Sequence, residues 1–307
     1  MNNLMKARTA RWIAPTMIIL FIVSLMPFFI ALNYSFRDIS YTSSRSQGQW
    51  IGLDNYRKAL FDPEFLHSLG ITFSFLIPAV FFELFIGFLM AMLFAKSNFK
   101  GIRKLIPILI IPTIIAPVVV GLIGKLSLNS EFGVIGVYLK RLGIIESSVL
   151  GSVKLAMPAI ILIDIWQWTP FVTVILLAGF LSFPKEPFEA AAMDGATPWQ
   201  TFKHITMPFI APLLAIVTLL RSIEAFKIFD KVWIMTHGGP GVSTQTSNIY
   251  AYRLNFMHWK LGYGAAIVIL LYIVSFLLCV TFFRYLNREQ IKKEREVIFY
   301  GDGSKKN

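Results

Sequence analysis

The chain is 307 residues long, and 56% of its residues are hydrophobic whereas only 15% carry a charged side chain. This composition, with 28 phenylalanines, predicts a membrane protein whose surface faces lipid rather than water. The net charge of +12 does not indicate nucleic-acid binding, because Lys and Arg are concentrated in short segments beside apolar stretches.

Six apolar segments are long enough for a helix to cross a hydrocarbon layer about 30 Å thick. The predicted membrane spans are, in chain order, Trp12–Tyr34, Gly70–Ala95, Leu105–Ile123, Ala156–Leu181, Pro208–Met235 and Gly264–Phe283. The sequence therefore predicts an all-α membrane protein with six transmembrane helices. Because this number is even, both termini are expected on the same side of the membrane.

Basic residues in short segments predict the orientation of these spans. They cluster before the first span, between the second and the third, and after the last: Lys6, Arg8, Arg11, Lys96, Lys100, Arg103, Lys104, Arg284, Arg288, Lys292, Lys293 and Arg295. By the positive-inside rule, the N- and C-termini and the loops at 96–104 and 182–207 are expected to be cytoplasmic. The first span has a basic flank like that of a signal peptide, but no small-residue cleavage site follows, so we expect a retained helix.

Two segments between spans are expected to face outward. Residues 36–69 mix acidic and basic residues and are expected to form a short interfacial helix, and residues 236–263 contain the turn cluster HGGPG. Cys279 is the only cysteine and lies in the sixth span, so neither a disulfide framework nor a metal cluster is expected. This layout divides the chain into an N-terminal helix with an extracellular segment, a membrane core and a basic cytoplasmic tail, at residues 1–66, 67–284 and 285–307.

Charged residues within the predicted spans are expected to be functional, because a charge in hydrocarbon costs roughly 3 kcal/mol or more unless it serves a path or a partner. Two are acids, Glu83 and Asp164. Others occur together in the fifth predicted span, among them Arg221, Glu224, Lys227 and Asp230. Their spacing lets neighbouring charges pair along one helix face. They line either a solute pathway or its outer mouth, unless the helix simply ends early outside the membrane.

A stripe in the fourth span has the chemistry of a carbohydrate site. A helix places on one face four residues spaced i, i+3, i+4 and i+7: Asp164, Gln167, Trp168 and Phe171. A carboxylate and an amide can bond hydroxyl groups, and two aromatic rings can cover the apolar side of a sugar. Glu224 could contact this stripe from across a cavity. Helix packing also explains the stripe, with Asp164 paired to a base such as Arg221.

The stretch EAAAMDGATPWQTFKHITMP, residues 189–208, interrupts the apolar spans with small, polar and turn-forming residues. Its first part is alanine-rich and favours helix, Asp194-Gly195 favours a turn, and Thr197 followed by Pro198 favours a new helix. These signals predict a cytoplasmic helix–turn–helix elbow. Its small residues leave the backbone thinly covered, so it can dock in a groove of another protein; a plain connecting loop is the other interpretation.

The elbow resembles the signature, known as the EAA motif, of binding-protein-dependent ABC importer permeases. The matching residues are Glu189, Ala190, Ala191, Asp194, Gly195, Ala196, Phe202, Ile205, Pro208 and Pro212. The segments GLDNYRKALFDPEF, WQWTPFVTVILLAG and RSIEAFKIFDKVWIMTHGGPGVSTQT are similar to the carbohydrate-importer branch, and the last is similar to the first of its two permease subunits. The resemblance covers nearly the whole chain from Ile51 to Phe283.

This resemblance implies a type I ABC importer fold in the cytoplasmic membrane, with residues 67–284 as the permease core. It implies four partners: a homologous second permease subunit, a cytoplasmic ATPase dimer, an extracellular solute-binding protein and a carbohydrate substrate. The elbow would couple to the ATPase through Glu189, Ala190, Ala191, Asp194, Gly195 and Ala196. The substrate pathway would be lined by Asp164, Gln167, Trp168, Phe171, Arg221 and Glu224.

The sequence contains no G-x-x-x-x-G-K-S/T phosphate loop, so energy must come from a partner or from an ion gradient. In the first case the partner ATPase binds ATP and Mg, and this chain has no cofactor, no metal and no catalytic residue. In the second case the chain is an ion-coupled secondary carrier with Glu83 and Asp164 as a proton relay, which leaves the elbow unexplained. A membrane-embedded enzyme is not indicated, because paired catalytic acids, Ser/His arrangements and metal-ligand spacings are not found.

Overall fold

The computed structural model describes residues 2–41, 48–96, 102–145 and 148–303. Within these ranges, the side chains of residues 2–12, 102–105 and 285–303 are not described. Most of the basic residues that predict the orientation therefore lie outside the described side chains: Lys6, Arg8, Arg11, Lys100, Arg103, Lys104, Arg288, Lys292, Lys293 and Arg295. The predicted orientation and the proposed domain boundaries stay predictions.

Among the described residues, five helices contain segments long and apolar enough to cross a membrane. They are α1 (Asn2–Ser35), α3 (Pro63–Lys96), α8 (Ala156–Leu181), α11 (Met207–Phe226) and α14 (Leu261–Gly303). Their positions agree with five of the six predicted spans, and the shorter apolar helix α6 (Pro117–Ser127) lies in the remaining one. The prediction of an all-α membrane fold is confirmed.

The third predicted span, Leu105–Ile123, is not one continuous helix as expected. It consists of three short helices, α4 (Ile102–Leu109), α5 (Ile111–Ile114) and α6. The chain is extended at Ile115 and Ala116, with ψ angles of 132° and 138°. Pro117 explains this break, because proline lacks an N–H and disfavours the helical conformation of the residue before it.

The fifth predicted span, Pro208–Met235, also ends earlier than expected. Helix α11 stops at Phe226, and a separate helix, α12 (Asp230–Thr236), follows. The alternative of an early helix end among these charged residues therefore agrees with the end of α11, while the position of that end outside the membrane stays a prediction. The prediction of a single long helix from hydropathy is wrong, because the apolar residues from Val232 to Met235 belong to the separate helix α12.

The remaining elements are short. Helix α2 (Asp54–Leu60) confirms the expected short helix before the second span, and an antiparallel pair of strands precedes it. The pair consists of β1 (Arg37–Asp38) and β2 (Gln49–Trp50), with Arg37 opposite Trp50. The other short helices are α7 (Val134–Arg141), α9 (Glu186–Met193), α10 (Pro198–Thr201), α13 (Ser247–Tyr252) and two π-helical turns at Phe202–Thr206 and Arg253–Met257.

The chain divides into two compact units. The first contains the described residues up to His67 together with Tyr250–Val274. Within it, the Asp62 carboxylate accepts a hydrogen bond of 2.6 Å from the Tyr250 hydroxyl and another from the Tyr263 hydroxyl. One carboxylate thus joins the start of α3 to the helices at the other end of this unit's sequence.

The second unit contains Ser68–Ile249 and the described residues from Ser275 onward. Its main core includes Phe75 on α3, Ile160 on α8 and Val232 on α12, all of them fully buried. Helices α3 and α8 approach closely, since a Cβ atom added to Gly87 would lie 2.7 Å from Val172 Cγ1. Small residues allow such close backbone approach in membrane helices.

Candidate functional site

Four charged side chains are buried together in the second unit and are here called the charge cluster. They come from four helices: Glu83 on α3, Asp164 on α8, Arg221 on α11 and Lys231 on α12. Each is at most 4% exposed. Two acids and two bases make the cluster formally neutral, so each buried charge has an opposite charge available.

Arg221 is the centre of the cluster. Its Nε donates to Glu83 Oε2 at 2.6 Å, and its Nη2 donates to Glu83 Oε1 at 2.9 Å. The same Nη2 also donates to Asp164 Oδ2 at 3.2 Å. The planar fork of a guanidinium matches the two oxygens of a carboxylate, which makes such paired contacts strong and directional.

Lys231 completes the cluster on the other side of Asp164. Its Nζ donates to Asp164 Oδ1 and, at 2.8 Å, to Gln167 Oε1. An isolated charge in the apolar interior is costly unless it is paired and hydrogen-bonded. The cluster therefore links four helices. Removing any one of its charges would leave another charge buried without its full set of partners, which would destabilise the fold.

Gln167 connects the charge cluster to the broken third span. Its Nε2 donates to the carbonyl of Ile115 at 2.9 Å, and its own backbone carbonyl accepts from Thr113 Oγ1 at 2.8 Å. Irregular backbone at membrane depth is tolerated only where its polar groups are satisfied. The Gln167 side chain supplies such a partner at the break and is itself fully buried.

Trp168 lies beside the cluster and is half-buried. The Arg221 guanidinium carbon is 4.3 Å from the centre of the Trp168 ring, a cation–π distance. The Phe171 ring stands almost perpendicular to that of Trp168, with centroids 5.8 Å apart. The indole ring is thus held by a cation on one side and by an aromatic ring edge-on.

A small cavity of about 90 Å³ lies next to the cluster. Its lining includes Trp168, Arg221, Glu224, Lys227 and Asp230, together with Pro117 at the break in the third span. Glu224 and Lys227 form an ion pair of 3.7 Å at the end of α11, and both side chains are 58% exposed. The cavity therefore has a buried charged floor and a second, exposed pair of charges at its edge.

The structure brings most of the predicted pathway residues together. Asp164, Gln167, Trp168 and Phe171 share one helix, and Arg221 and Glu224 line the same cavity as Trp168. The packing interpretation of Asp164 is confirmed in that it pairs with Arg221, and both polar groups of the Gln167 amide bond within the chain. Solute binding by these residues stays a prediction.

Sequence reasoning did not include Glu83 or Lys231 among the pathway residues. Glu83 was identifiable as an acid in a predicted span, but its partner is 138 residues away in sequence. Lys231 lies in the segment FDKVWIM. A lysine within such an apolar segment was the available indication that its charge is buried. Local sequence cannot reveal such pairs, because no periodicity links residues on different helices.

The predicted elbow is confirmed as a helix–turn–helix. Helix α9 and helix α10 flank a turn at Asp194–Thr197, and the described residues of both helices include no buried side chain. All the residues that match the family signature from Glu189 to Ala196 are exposed or half-buried. Helices α9 and α10 thus present their side chains outward and bury none of them in the core.

Local hydrogen bonds explain the shape of the elbow. Gly195 adopts a left-handed φ of +70°, its N–H donates to the Ala192 carbonyl at 3.2 Å, and the Ala196 N–H donates to the Ala191 carbonyl at 2.9 Å. This is the Schellman pattern, which ends a helix at a glycine. Helix α10 then begins with a capping box, in which the backbone N–H groups of Thr197 and Gln200 donate to each other's side chains.

Comparison with known sequences identifies relatives along most of the chain. The family model described as "binding-protein-dependent transport system inner membrane component" matches residues 71–292. A probable ABC transporter permease of Sinorhizobium fredii is 34% identical over 82% of this chain and 81% of the relative. The trehalose/maltose transport system permease MalF of Thermococcus litoralis is 31% identical over 89% of this chain and 94% of the relative.

Comparison with solved structures supports the same fold. A chain from a bacterial ABC transporter involved in the import of the acidic polysaccharide alginate aligns with a TM-score of 0.78 and 23% identity. The alignment covers 93% of this chain and 99% of that one. The expected transmembrane fold of an ABC importer permease is therefore confirmed.

Proposed function

Because the chain belongs to the family of binding-protein-dependent transport system inner membrane components, we propose that it is the permease subunit of an ATP-driven carbohydrate importer. The carbohydrate assignment is supported by the Thermococcus relative, which is named for trehalose and maltose. The solute class is a sugar, an oligosaccharide or a related polyol. The chain passes this solute from outside the membrane into the cytoplasm.

The elbow is the observation that carries this proposal. It is a capped, outward-facing helix–turn–helix between two membrane spans, and its sequence resembles the signature of ABC importer permeases. We assign contact with the ATPase to its small and acidic residues: Glu189, Ala190, Ala191, Asp194, Gly195 and Ala196. The two caps make the elbow stiff, so it can pass a movement of the ATPase to the spans on either side.

The partners follow from this assignment. A homologous second permease subunit completes the pathway, two cytoplasmic ATPase subunits bind ATP and Mg, and an extracellular binding protein delivers the solute. The N- and C-termini and the elbow lie on the cytoplasmic side of the inner membrane. Closure of the ATPase pair on ATP opens the pathway outward, and hydrolysis returns it inward.

The alternative of an ion-coupled carrier is not supported. Its proposed relay acids, Glu83 and Asp164, are both paired with buried cations. Such pairing explains why acids occur within the spans without any proton path. The carrier interpretation also gives no role to the elbow.

Uptake by proteoliposomes tests the proposed function. The vesicles contain this chain with its second permease subunit and ATPase, carry ATP inside, and receive radiolabelled maltose or trehalose with the binding protein outside. We expect uptake that requires both ATP and the binding protein and that survives an uncoupler. Uptake that an uncoupler abolishes, or that needs no ATP, would overturn the importer assignment.

A further inference from the structure

Glu83 has no role in the transport mechanism described so far, although its burial is complete. Its carboxylate uses both oxygens to bind Arg221, at 2.6 and 2.9 Å. A single ion-pair contact would neutralise the charge of Arg221 equally well. The paired contact does more, because it fixes the plane in which the guanidinium lies.

Arg221 passes this constraint to Trp168. The guanidinium carbon lies 4.3 Å from the centre of the indole ring, and the Lys231 Nζ is 6.0 Å from the same centre. Phe171 confines the ring further through its perpendicular contact. Trp168 is nevertheless half-buried and lines the cavity beside the cluster, so part of its surface remains accessible from that cavity.

We propose that Glu83 is a positioning residue, which holds Arg221 against Trp168 and thereby fixes the indole ring as a surface for binding a sugar ring. The solute part of this inference rests on the proposed function. A binding surface that is held in place before the solute arrives loses less conformational freedom on binding. Glu83 then strengthens solute binding without contacting the solute itself.

A tryptophan signal tests the positioning step without any solute. The chain has seven tryptophans, so the six other than Trp168 are replaced by phenylalanine, and the full chain is purified without the other subunits, whose tryptophans would also emit. Glu83→Gln keeps the size of the side chain but removes its charge, and Arg221→Lys keeps the charge but removes the planar fork. Glu131→Gln is the matched control, because it makes the same chemical change on an exposed side chain.

We expect both cluster variants to shift the emission of Trp168 and to increase its quenching by acrylamide on the order of twofold, because the cation is no longer held in a fixed position against the indole ring. The measurement is made well below the unfolding midpoint of each variant, and Glu131→Gln should leave the signal unchanged. Unchanged Trp168 emission and quenching in both folded cluster variants would overturn the proposal, since it would leave Glu83 a merely structural role.

A double-mutant cycle on uptake tests the second step. Uptake of radiolabelled maltose and trehalose is compared for the original chain, Glu83→Gln, Trp168→Leu and the double variant. If Glu83 acts through Trp168, Glu83→Gln lowers uptake in the original background and has little further effect in the Trp168→Leu background, where the aromatic face is gone. If the fold-loss of uptake in the double variant equals the product of the two single losses, the two residues act independently and the inference is overturned. If the original chain takes up neither sugar, the assignment of these two sugars fails, while the tryptophan signal still decides the positioning step.

Discussion

The charge cluster and the elbow handle their polar residues in opposite ways. In the cluster, the charged side chains are buried and bind one another across four helices. In the elbow, the acidic residues are exposed, and the hydrogen bonds that shape it join residues at most five positions apart. One region is held by distant partners within the chain, whereas the other is held by its own local sequence.

This difference separates what each region can do. A residue in the cluster cannot be changed without leaving another buried group unpaired. Its substitution will therefore affect stability and function together, and the two effects are hard to separate. An exposed elbow residue with ordinary backbone angles, such as Glu189, can be changed with little effect on folding, so its effect on a partner can be measured alone. The following predictions test this contrast from the largest expected effect to the smallest.

Arg221→Ala should cause the largest loss of stability. It leaves the buried carboxylates of Glu83 and Asp164 without their shared partner, and breaking a buried pair in this way costs about 3–5 kcal/mol. The unfolding midpoint of the purified protein in detergent measures this loss. Lys227→Ala is the matched control, because it breaks an ion pair at the end of the same helix.

The Lys227 pair is 58% exposed on both side chains, and exposed pairs contribute about 0–1 kcal/mol. We therefore expect Lys227→Ala to leave the midpoint nearly unchanged. Equal losses in the two variants would contradict the importance of burial in the charge cluster.

Gly195→Val should have the next largest effect. Nothing lies within 4 Å of an added Cβ atom, so the cost comes from the left-handed φ of +70° rather than from a clash. That backbone strain is about 1–2 kcal/mol for most residues, whereas asparagine adopts this conformation more readily. Differential scanning fluorimetry should therefore rank the stabilities as glycine, then asparagine, then valine. A valine variant as stable as the asparagine variant would show that the turn relaxes.

Asp62 provides an intermediate case, since its side chain is half-buried. Burial raises the pKa of Asp62, but hydrogen bonds from Tyr250, Tyr263 and two backbone N–H groups lower it, and the net pKa lies below its ordinary value. The carboxylate therefore stabilises the folded protein above about pH 4, and this contribution is lost as the pH falls through the lowered pKa.

Asp62→Asn should accordingly cost about 1 kcal/mol at neutral pH and much less in acid. Unfolding midpoints measured at several pH values compare the variant with the original chain. If the difference between the two does not shrink as the pH falls, the Asp62 carboxylate does not account for the stabilisation.

Glu189→Arg should have the smallest effect on stability, within about 0.5 kcal/mol, because the side chain is exposed. Its effect on the ATPase should be much larger, since it reverses a charge on the proposed contact surface. The amount of ATPase that co-purifies with equal amounts of membrane-inserted permease measures this. Normal recovery of the ATPase together with normal uptake would remove Glu189 from the coupling surface.

The structure corrects the sequence analysis at the third and fifth predicted spans, where the ends of helices depend on both local residues and distant contacts. Pro112 and Pro117 are visible in the sequence, but hydropathy alone joined the segments around them into one span. The break is tolerated because the Gln167 side chain, on another helix, donates a hydrogen bond to the carbonyl of Ile115, which no longer lies within a helix. The end of α11 was similarly hidden, because the apolar residues of α12 continue the hydropathy of the helix before it.

The sequence by itself determined the membrane class, the positions of five long spans and the details of the elbow. Those properties depend on composition, on apolar length and on caps that act over a few residues, so they can be read locally. Only the tertiary structure decided which charges pair. Glu83 meets Arg221 because the fold brings these two side chains, from different helices, within hydrogen-bond distance. In a low-dielectric interior the lowest free energy is reached when every buried charge finds a partner, however distant that partner is in sequence.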